Sequence, residues 1–152
     1  MTESTKFPPE RLPETTVESK GDPFPDLSAG PALRTIAMPA DTNPAGNIFG
    51  GWLLGQMDIA GGITAARRAG GRVATVGIDA MSFHQPVKVG DEVSCYATIE
   101  KIGRSSLRVR VTSWVRRARS VEVLKVTEGV FTYVALDDDG RRRPVPPVFD
   151  YL

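Results

Sequence analysis

The sequence predicts an α+β fold in which one long helix packs against an antiparallel sheet. Three observations support this prediction. Residues 49–66 form one continuous apolar, glycine-rich segment that ends in helix stop signals. The later segments instead alternate apolar and polar residues, as half-buried strands do. Clusters of Gly, Pro, Asn and Asp separate several of these segments, which indicates turns between neighbouring elements.

The length and composition favour a single domain. The chain has 152 residues, enough for a core that is stable without disulfides. It contains one cysteine and one histidine, so these residues alone form neither an internal disulfide nor a structural zinc site. The sequence lacks a membrane-spanning apolar run and a signal-peptide pattern. These features predict a soluble, cytoplasmic protein.

Residues 1–30 differ in composition from the rest of the chain. They carry five of the 12 prolines, six acidic and three basic residues, and few large apolar side chains. Such a segment buries too little apolar surface to offset the entropy lost on ordering. We therefore predict a disordered tail at 1–30 and a folded domain at 31–152.

The domain divides into strands around one helix. The first strand is predicted at Leu33–Ala37, ahead of a loop at Asp41–Asn47 that is rich in turn-forming residues. The helix is predicted from Phe49 to Ala66, because basic residues and then a glycine pair follow it. Four strand segments come next, most of them expected to be joined by hairpins. They are Val73–Phe83, the alternating set Val93, Cys95, Ala97 and Ile99, the alternating set Leu107, Val109, Val111 and Val115, and Val126–Leu136.

The predicted helix contains one carboxylate in apolar surroundings. The helix is apolar on nearly every side, so it should be buried on most of them. Asp58 is the one ionisable residue between positions 49 and 66. A carboxylate there costs free energy unless it is hydrogen-bonded or faces a cavity. Asp58 is therefore either a functional carboxylate or a hydrogen-bonded residue at a subunit interface.

Two glycines, Gly50 and Gly51, stand at the start of this helix. Their N–H groups are unshielded by side chains and lie at the positive end of the helix dipole. Such a helix start can bind a carbonyl oxygen that becomes negative during acyl transfer, although glycine-rich helix starts also occur without a function. About 12 Å of helix separates Gly50 from Asp58, so a second subunit would be needed to bring both to one carbonyl.

Four motifs carry a resemblance to a known family. They are MPADTNPAGNIFGGW at 38–52 with QMD at 56–58, FHQPVKVGD at 83–91, GRSS at 103–106 and VFTYVA at 130–135. Through these motifs the chain resembles the hot-dog-fold acyl-CoA thioesterases of the YciA type, which are related to the cytosolic acyl-CoA hydrolases. The resemblance implies about five antiparallel strands wrapped around a central helix, and dimers that assemble into hexamers. It also implies hydrolysis of acyl-CoA without a metal or cofactor.

The resemblance assigns roles to individual residues. Asp58 matches the catalytic carboxylate, which activates water or attacks the thioester directly. Asn43 matches a loop asparagine that holds the substrate carbonyl or the water, with Asp58 supplied by the neighbouring subunit. Gly51, together with Gly50, matches the helix start that stabilises the oxyanion.

A basic segment at 101–119 suits the phosphates of CoA, because it has seven Lys and Arg and no acidic residue. By resemblance, the candidates for CoA binding here are Lys101, Gly103, Arg104, Ser105 and Ser106. The alternative is a solvated hairpin with outward-facing charges. Arg116, Arg117 and Arg119 are predicted to lie on a surface loop. Residues 141–143 are either solvated or a second phosphate contact.

Three other functions have to be weighed. A hot-dog hydratase or dehydratase usually needs a histidine and an acid, and His84, at a strand end, is the one histidine. A non-catalytic acyl-CoA sensor would keep the CoA contacts without hydrolysis. Nucleic-acid binding is disfavoured, because residues 31–152 have a net charge of only +4, from 16 basic and 12 acidic residues, and the helix is apolar.

Overall fold

A computed structural model describes residues 30–148. The described chain forms β1 (Leu33–Ile36), α1 (Gly50–Ala69), β2 (Val73–Phe83), β3 (Glu92–Ile102), β4 (Ser106–Arg116) and β5 (Val123–Ala135). A short 3-10 turn at Pro39–Asp41 precedes the predicted loop. The tail predicted at 1–30 lies outside the described residues except for Gly30. No helix between residues 30 and 148 is both long and apolar enough to cross a membrane.

The five strands form one antiparallel sheet in the order β1-β3-β4-β5-β2. Hairpins join β3 to β4 and β4 to β5, as predicted. No hairpin joins β2 to β3, because β2 pairs with β5 at the far edge of the sheet. The connection at 84–91 therefore crosses to the other side of the sheet, and Ile48 N donates to Val87 O over 3.0 Å. This bond holds the connection against the segment that leads into α1.

Helix α1 begins at Gly50 and ends at Ala69, so it starts one residue later and extends three residues further than predicted. Gly70 stops the helix with a left-handed φ of 66°, which favours glycine. Arg143 binds this end, with Nη2 donating to Ala69 O over 2.8 Å and Nε to Leu136 O over 2.9 Å. Arg143, expected in solvent or at a phosphate, thus satisfies a helix carbonyl and ties α1 to the segment after β5.

The core lies between α1 and one face of the sheet. Met57 and Ala60 of the helix pack there with Val109, Phe131 and Tyr133 of the central strands. All five residues are at most 1% exposed. Burying apolar side chains between one helix and one sheet face supplies most of the driving force for folding.

The described part of the chain covers only one side of α1. Six of its 20 residues are buried, whereas Ile59 is 49% exposed. Beside the helix, the edge strand β2 also exposes Val76 and Ile78, at 52% and 37%. Within residues 30–148, the helix is therefore not buried on most of its sides, as the sequence had predicted it would be.

A buried ion pair holds the β2–β3 connection against the β4–β5 turn. Asp91 is 1% exposed and pairs with Arg117. The Arg117 guanidinium also donates to Pro86 O from both Nη atoms over 3.1 Å, and Lys88 N donates to Asp91 Oδ2 over 2.8 Å. Arg117, predicted on a surface loop, is thus an internal support. Arg116, predicted on the same loop, is instead the last residue of β4, although it is exposed, whereas Arg119 is exposed in the loop as predicted.

We expect Asp91→Asn to lower the free energy of unfolding by about 3–5 kcal/mol, because it leaves the Arg117 charge without its partner in a buried site. Urea unfolding followed by circular dichroism measures the change. The matched control is Glu100→Gln, which removes the exposed partner of Arg110 and should cost less than about 1 kcal/mol. Equal losses in the two variants would contradict the buried support.

Candidate active site

Asp58 lies on the part of α1 that faces strands β2 and β5. Thr75 Oγ1 of β2 donates to Asp58 Oδ1 over 2.7 Å. Tyr133 Oη of β5 is 3.1 Å from the same oxygen and 2.9 Å from the Asp58 main-chain O. Thr75 and Tyr133 are paired across adjacent strands, so the sheet register brings both hydroxyls to one carboxylate. Asp58 therefore has the hydrogen-bond partners that its apolar helix requires.

Tyr133 is held rigidly as a donor. Its side chain is 1% exposed, and its ring stacks on Phe131 with the ring centroids 6.4 Å apart. Burial, and then the negative charge of Asp58, raise the pKa of Tyr133 above its ordinary range, so the phenol stays protonated. Sequence reasoning did not identify Thr75 or Tyr133. Two features of the sequence could have pointed to such residues. Asp58 needs hydrogen-bond donors, and Tyr133 lies in one of the four family motifs.

Gly61, almost one turn after Asp58, makes room for the phenol. A Cβ at Gly61 would stand 2.4 Å from Tyr133 Oη, closer than real Cβ contacts allow. A Cβ at the next glycine, Gly62, would lie 3.7 Å from the Tyr133 ring, an ordinary contact. The close approach of Tyr133 to the helix therefore depends on Gly61.

The start of α1 presents N–H groups as the sequence predicted. Trp52 N and Leu53 N bond back to Phe49 O over 3.1 and 3.3 Å, and no side chain caps the helix. A Cβ at Gly50 would lie 3.7 Å from the Phe83 ring, whereas a Cβ at Gly51 would meet nothing within 4 Å. Of the two glycines, Gly51 is thus the one with open space at the position where a side chain would stand.

Asn43 lies in the loop before the helix, and its side-chain oxygen is held by the loop itself. Asn43 Oδ1 accepts hydrogen bonds from Ala45 N over 3.0 Å and from Asn47 N over 3.2 Å. These bonds fix the plane of the amide. The Nδ2 group takes part in none of the hydrogen bonds described for residues 30–148, so it can donate to a substrate oxygen or a water.

Within one chain these groups do not meet. Gly51 and Asp58 are seven residues apart on the helix, a rise of about 10 Å. The side-chain bonds of Asn43 stay within its own loop, whereas those of Asp58 go to β2 and β5. No hydrogen bond described within the chain therefore joins Asn43 to Asp58.

The β3–β4 turn at 103–106 is fixed by its main chain. Gly103 N donates to Ser106 O over 2.8 Å, and a Cβ at Gly103 would stand 2.6 Å from Ser106 Oγ. The main-chain oxygens of Arg104 and Ser105 accept hydrogen bonds from Val145 N and Ala135 N, each over 2.8 Å. Ser106 pairs with Val134, next to Tyr133, so the turn lies at the Asp58 end of the sheet.

Two cations of the basic segment lie at this turn. Lys101 and Arg104 are exposed and take part in none of the ion pairs described for residues 30–148. The neighbouring arginines of β4 are instead neutralised: Arg108 by Asp79 at 3.4 Å and Arg110 by Glu100. Lys101 and Arg104 are therefore the residues of this hairpin best placed for a phosphate.

His84 does not share a site with Asp58 in the single chain. His84 Nε2 lies 3.8 Å from Glu128 Oε1. Glu128 is five residues from Tyr133 along β5, about 16 Å of strand. The histidine-plus-acid pair of a hydratase is therefore not formed around Asp58 within one chain. In the described part of the chain, no three His, Cys, Asp or Glu side chains are grouped to hold a metal.

The two helix glycines should respond oppositely to alanine. We expect Gly61→Ala to lower the free energy of unfolding by about 1–3 kcal/mol, because the new methyl group displaces the Tyr133 ring. Gly62→Ala should raise it by up to about 1 kcal/mol through helix propensity. Thermal unfolding of both variants tests this expectation. A gain in stability for Gly61→Ala would show that Tyr133 does not pack as described.

Comparison with known proteins identifies the family. Residues 45–121 match the family model of the thioesterase superfamily. The acyl-CoA thioester hydrolase YciA of Salmonella typhimurium is 51% identical over 75% of this chain and 88% of its own. The solved hexameric thioesterase of Yersinia pestis is 52% identical with a TM-score of 0.75, over 78% of this chain and 96% of its own.

A more distant solved relative is the acyl-CoA hydrolase of Staphylococcus aureus, seen in complex with butyryl-CoA and CoA. It is 32% identical with a TM-score of 0.70, over 77% of this chain and 71% of its own. Alanine variants of one asparagine and one aspartate of that protein have been solved, and the two residues are 15 positions apart in its sequence. The expected hot-dog architecture is confirmed by these relatives and by the single helix against five antiparallel strands. The chain belongs to the thioesterase superfamily, among the YciA-type acyl-CoA thioester hydrolases.

Proposed function

We propose that this protein hydrolyses acyl-CoA to a free acid and CoA. The observation that carries the proposal is Asp58, an acid on an apolar helix whose Oδ1 is bound by Thr75 and Tyr133. A carboxylate that is held in place by two donors on an otherwise apolar helix is a candidate catalytic group. The names of the relatives, acyl-CoA thioester hydrolase and hexameric thioesterase, support the same reaction.

The active site is shared between two subunits. One subunit supplies Asn43 and the N–H of Gly51, with Gly50 beside it, and the other supplies Asp58. The open side of α1 and the exposed edge of β2 support this arrangement, because both leave apolar surface for a second copy. Asn43 and Asp58 are 15 residues apart, and so are the two altered residues of the Staphylococcus protein. This agreement adds support. The hexameric relatives favour three such dimers in one hexamer.

Hydrolysis follows from these positions. The Asp58 carboxylate takes a proton from water, and the water oxygen forms a bond to the thioester carbon. The carbonyl electron pair moves to the oxygen, which the Gly51 N–H and the Asn43 amide stabilise. The electron pair on the oxygen then re-forms the carbonyl, the C–S bond breaks, and the leaving thiolate takes the proton from Asp58. Direct attack of the carboxylate on the thioester is the alternative first step, and the same groups would stabilise its oxyanion.

The CoA end of the substrate binds at the β3–β4 turn. Lys101 and Arg104 bind the phosphates, since they are exposed and outside the described ion pairs. Ser105 and Ser106 add hydroxyl groups, and Gly103 keeps the turn tight enough to present them. Every step uses water, side chains and the main-chain N–H of Gly51, so the proposed reaction needs no metal or cofactor. We place the protein in the cytoplasm, which fits its one described thiol, the buried and unpaired Cys95.

Asp58→Ala should lower kcat at least 100-fold, because general-base help is worth about 10²–10⁴ in rate. The measurement is thiol release from a panel of short- to long-chain acyl-CoA substrates, with thermal unfolding to confirm that the variant folds. Asp138→Ala, in an exposed loop, is the control and should keep full activity. Activity that persists in Asp58→Ala would rule out this catalytic residue. A wild-type protein that binds acyl-CoA without releasing thiol would be a sensor.

Two inactive variants should restore activity when their subunits mix. Asn43→Ala and Asp58→Ala are co-expressed with different tags, and the mixed protein is assayed for thiol release. A shared site predicts about a quarter of wild-type activity in the unfractionated mixture, because about half of the dimers are mixed and one of the two sites in each mixed dimer is intact. Asp58→Ala co-expressed with itself is the control. Activity no higher than that of either variant alone would place Asn43 and Asp58 in the same subunit's site.

A further inference from the structure

We propose that Tyr133 is a positioning residue that holds the Asp58 carboxylate by one oxygen, so that the other oxygen, Oδ2, reacts. This inference rests on the proposed hydrolysis. It concerns the orientation of the carboxylate, and it adds a positioning residue of the sheet to the proposed catalytic residue on the helix.

The two oxygens of Asp58 have different surroundings. Oδ1 accepts from Thr75 Oγ1 over 2.7 Å and from Tyr133 Oη over 3.1 Å. The single phenol hydrogen is shared between Oδ1 and the Asp58 main-chain O, so Oδ1 accepts one full hydrogen bond from Thr75 and a shared one from Tyr133. Oδ2 accepts none of the hydrogen bonds described for residues 30–148. Its lone pairs are therefore the ones available to a water or a thioester carbon.

Tyr133 fixes the main chain and the side chain of Asp58 together. Its hydroxyl lies 2.9 Å from the Asp58 main-chain O, as well as 3.1 Å from Oδ1. By contacting both atoms, the phenol fixes the position of the carboxylate relative to the helix and limits rotation about the Asp58 side-chain torsions. Thr75 hydrogen-bonds to the Asp58 side chain and not to its main chain, so Thr75 alone would not fix the carboxylate relative to the helix.

The phenol itself has little freedom. It is buried, its ring stacks on Phe131, and it occupies the space that a Cβ at Gly61 would fill. Close-packed interiors resist such displacements. Because a misplacement of about 1 Å in a reacting group can cost about 10²-fold in rate, a rigid support behind Asp58 has a large effect on turnover.

The test is the kinetics of Tyr133→Phe, which keeps the ring and its packing but removes the hydroxyl. We expect kcat to fall about 10- to 100-fold, with KM within about 3-fold of wild type, because the carboxylate is misaligned while the substrate contacts remain. Tyr96→Phe, on the opposite face of the sheet, is the matched control and should keep wild-type kcat. Gly61→Ala, which moves the phenol without removing it, should also lower kcat and serves if Tyr133→Phe does not fold.

A double-mutant cycle separates positioning from general loss of structure. If Tyr133 acts through Asp58, adding Tyr133→Phe to Asp58→Ala should leave the residual rate unchanged in single-turnover assays. A further fall of the size seen in the wild-type background would overturn the proposal, as would a wild-type kcat in Tyr133→Phe. Wild-type protein inactive on all acyl-CoA substrates would overturn the proposed function and this role with it. If the wild type is active and Tyr133→Phe has the same kcat, only the positioning role of Tyr133 is overturned.

Discussion

A helix that is apolar on nearly every side, but covered by its own sheet on only one, is the constraint on which the rest of this structure depends. The open side carries Ile59, and the adjacent edge strand β2 carries Val76 and Ile78. Apolar surface left in water costs about 25 cal/mol for each Å². The effect that folds the chain therefore also favours a second copy. Since Asn43 and Gly51 are separated from Asp58 within one chain, the proposed association and the completed active site are the same event.

The proposed second subunit also determines how the site works, because it would exclude water from Asp58, which is only partly buried within one chain. A carboxylate is expensive to bury, but hydrogen bonds and charges act more strongly where water is excluded. The paired strands β2 and β5 deliver Thr75 and Tyr133 to the same oxygen of Asp58, and the helix start offers its N–H groups without a side-chain cap. The donors are fixed by the sheet and the helix, so little reorganisation is needed during the reaction.

The elements of the fold and the candidate carboxylate Asp58 were predictable from local signals in the sequence, whereas Asn43 was indicated only by the family resemblance. Alternation identified the strands, Gly70 ended the helix, and Asp58 was exceptional in its apolar segment. Contacts between distant positions were not predictable in this way. The strand order, with β2 beside β5, places Tyr133 against Asp58 75 positions away. Arg117 looked like a surface charge because its buried partner, Asp91, lies 26 positions earlier in the chain.

The space that Gly61 leaves for the Tyr133 hydroxyl links two positions 72 residues apart. In a homologue that keeps the tyrosine, any larger residue at the glycine position would push the ring out of place. A homologue that loses the phenol oxygen is released from this restriction and can accept alanine, which favours a helix by about 1 kcal/mol. The two positions should therefore co-vary among homologues. Homologues in which a tyrosine holds the carboxylate by one oxygen would then be recognisable by a glycine at this buried position.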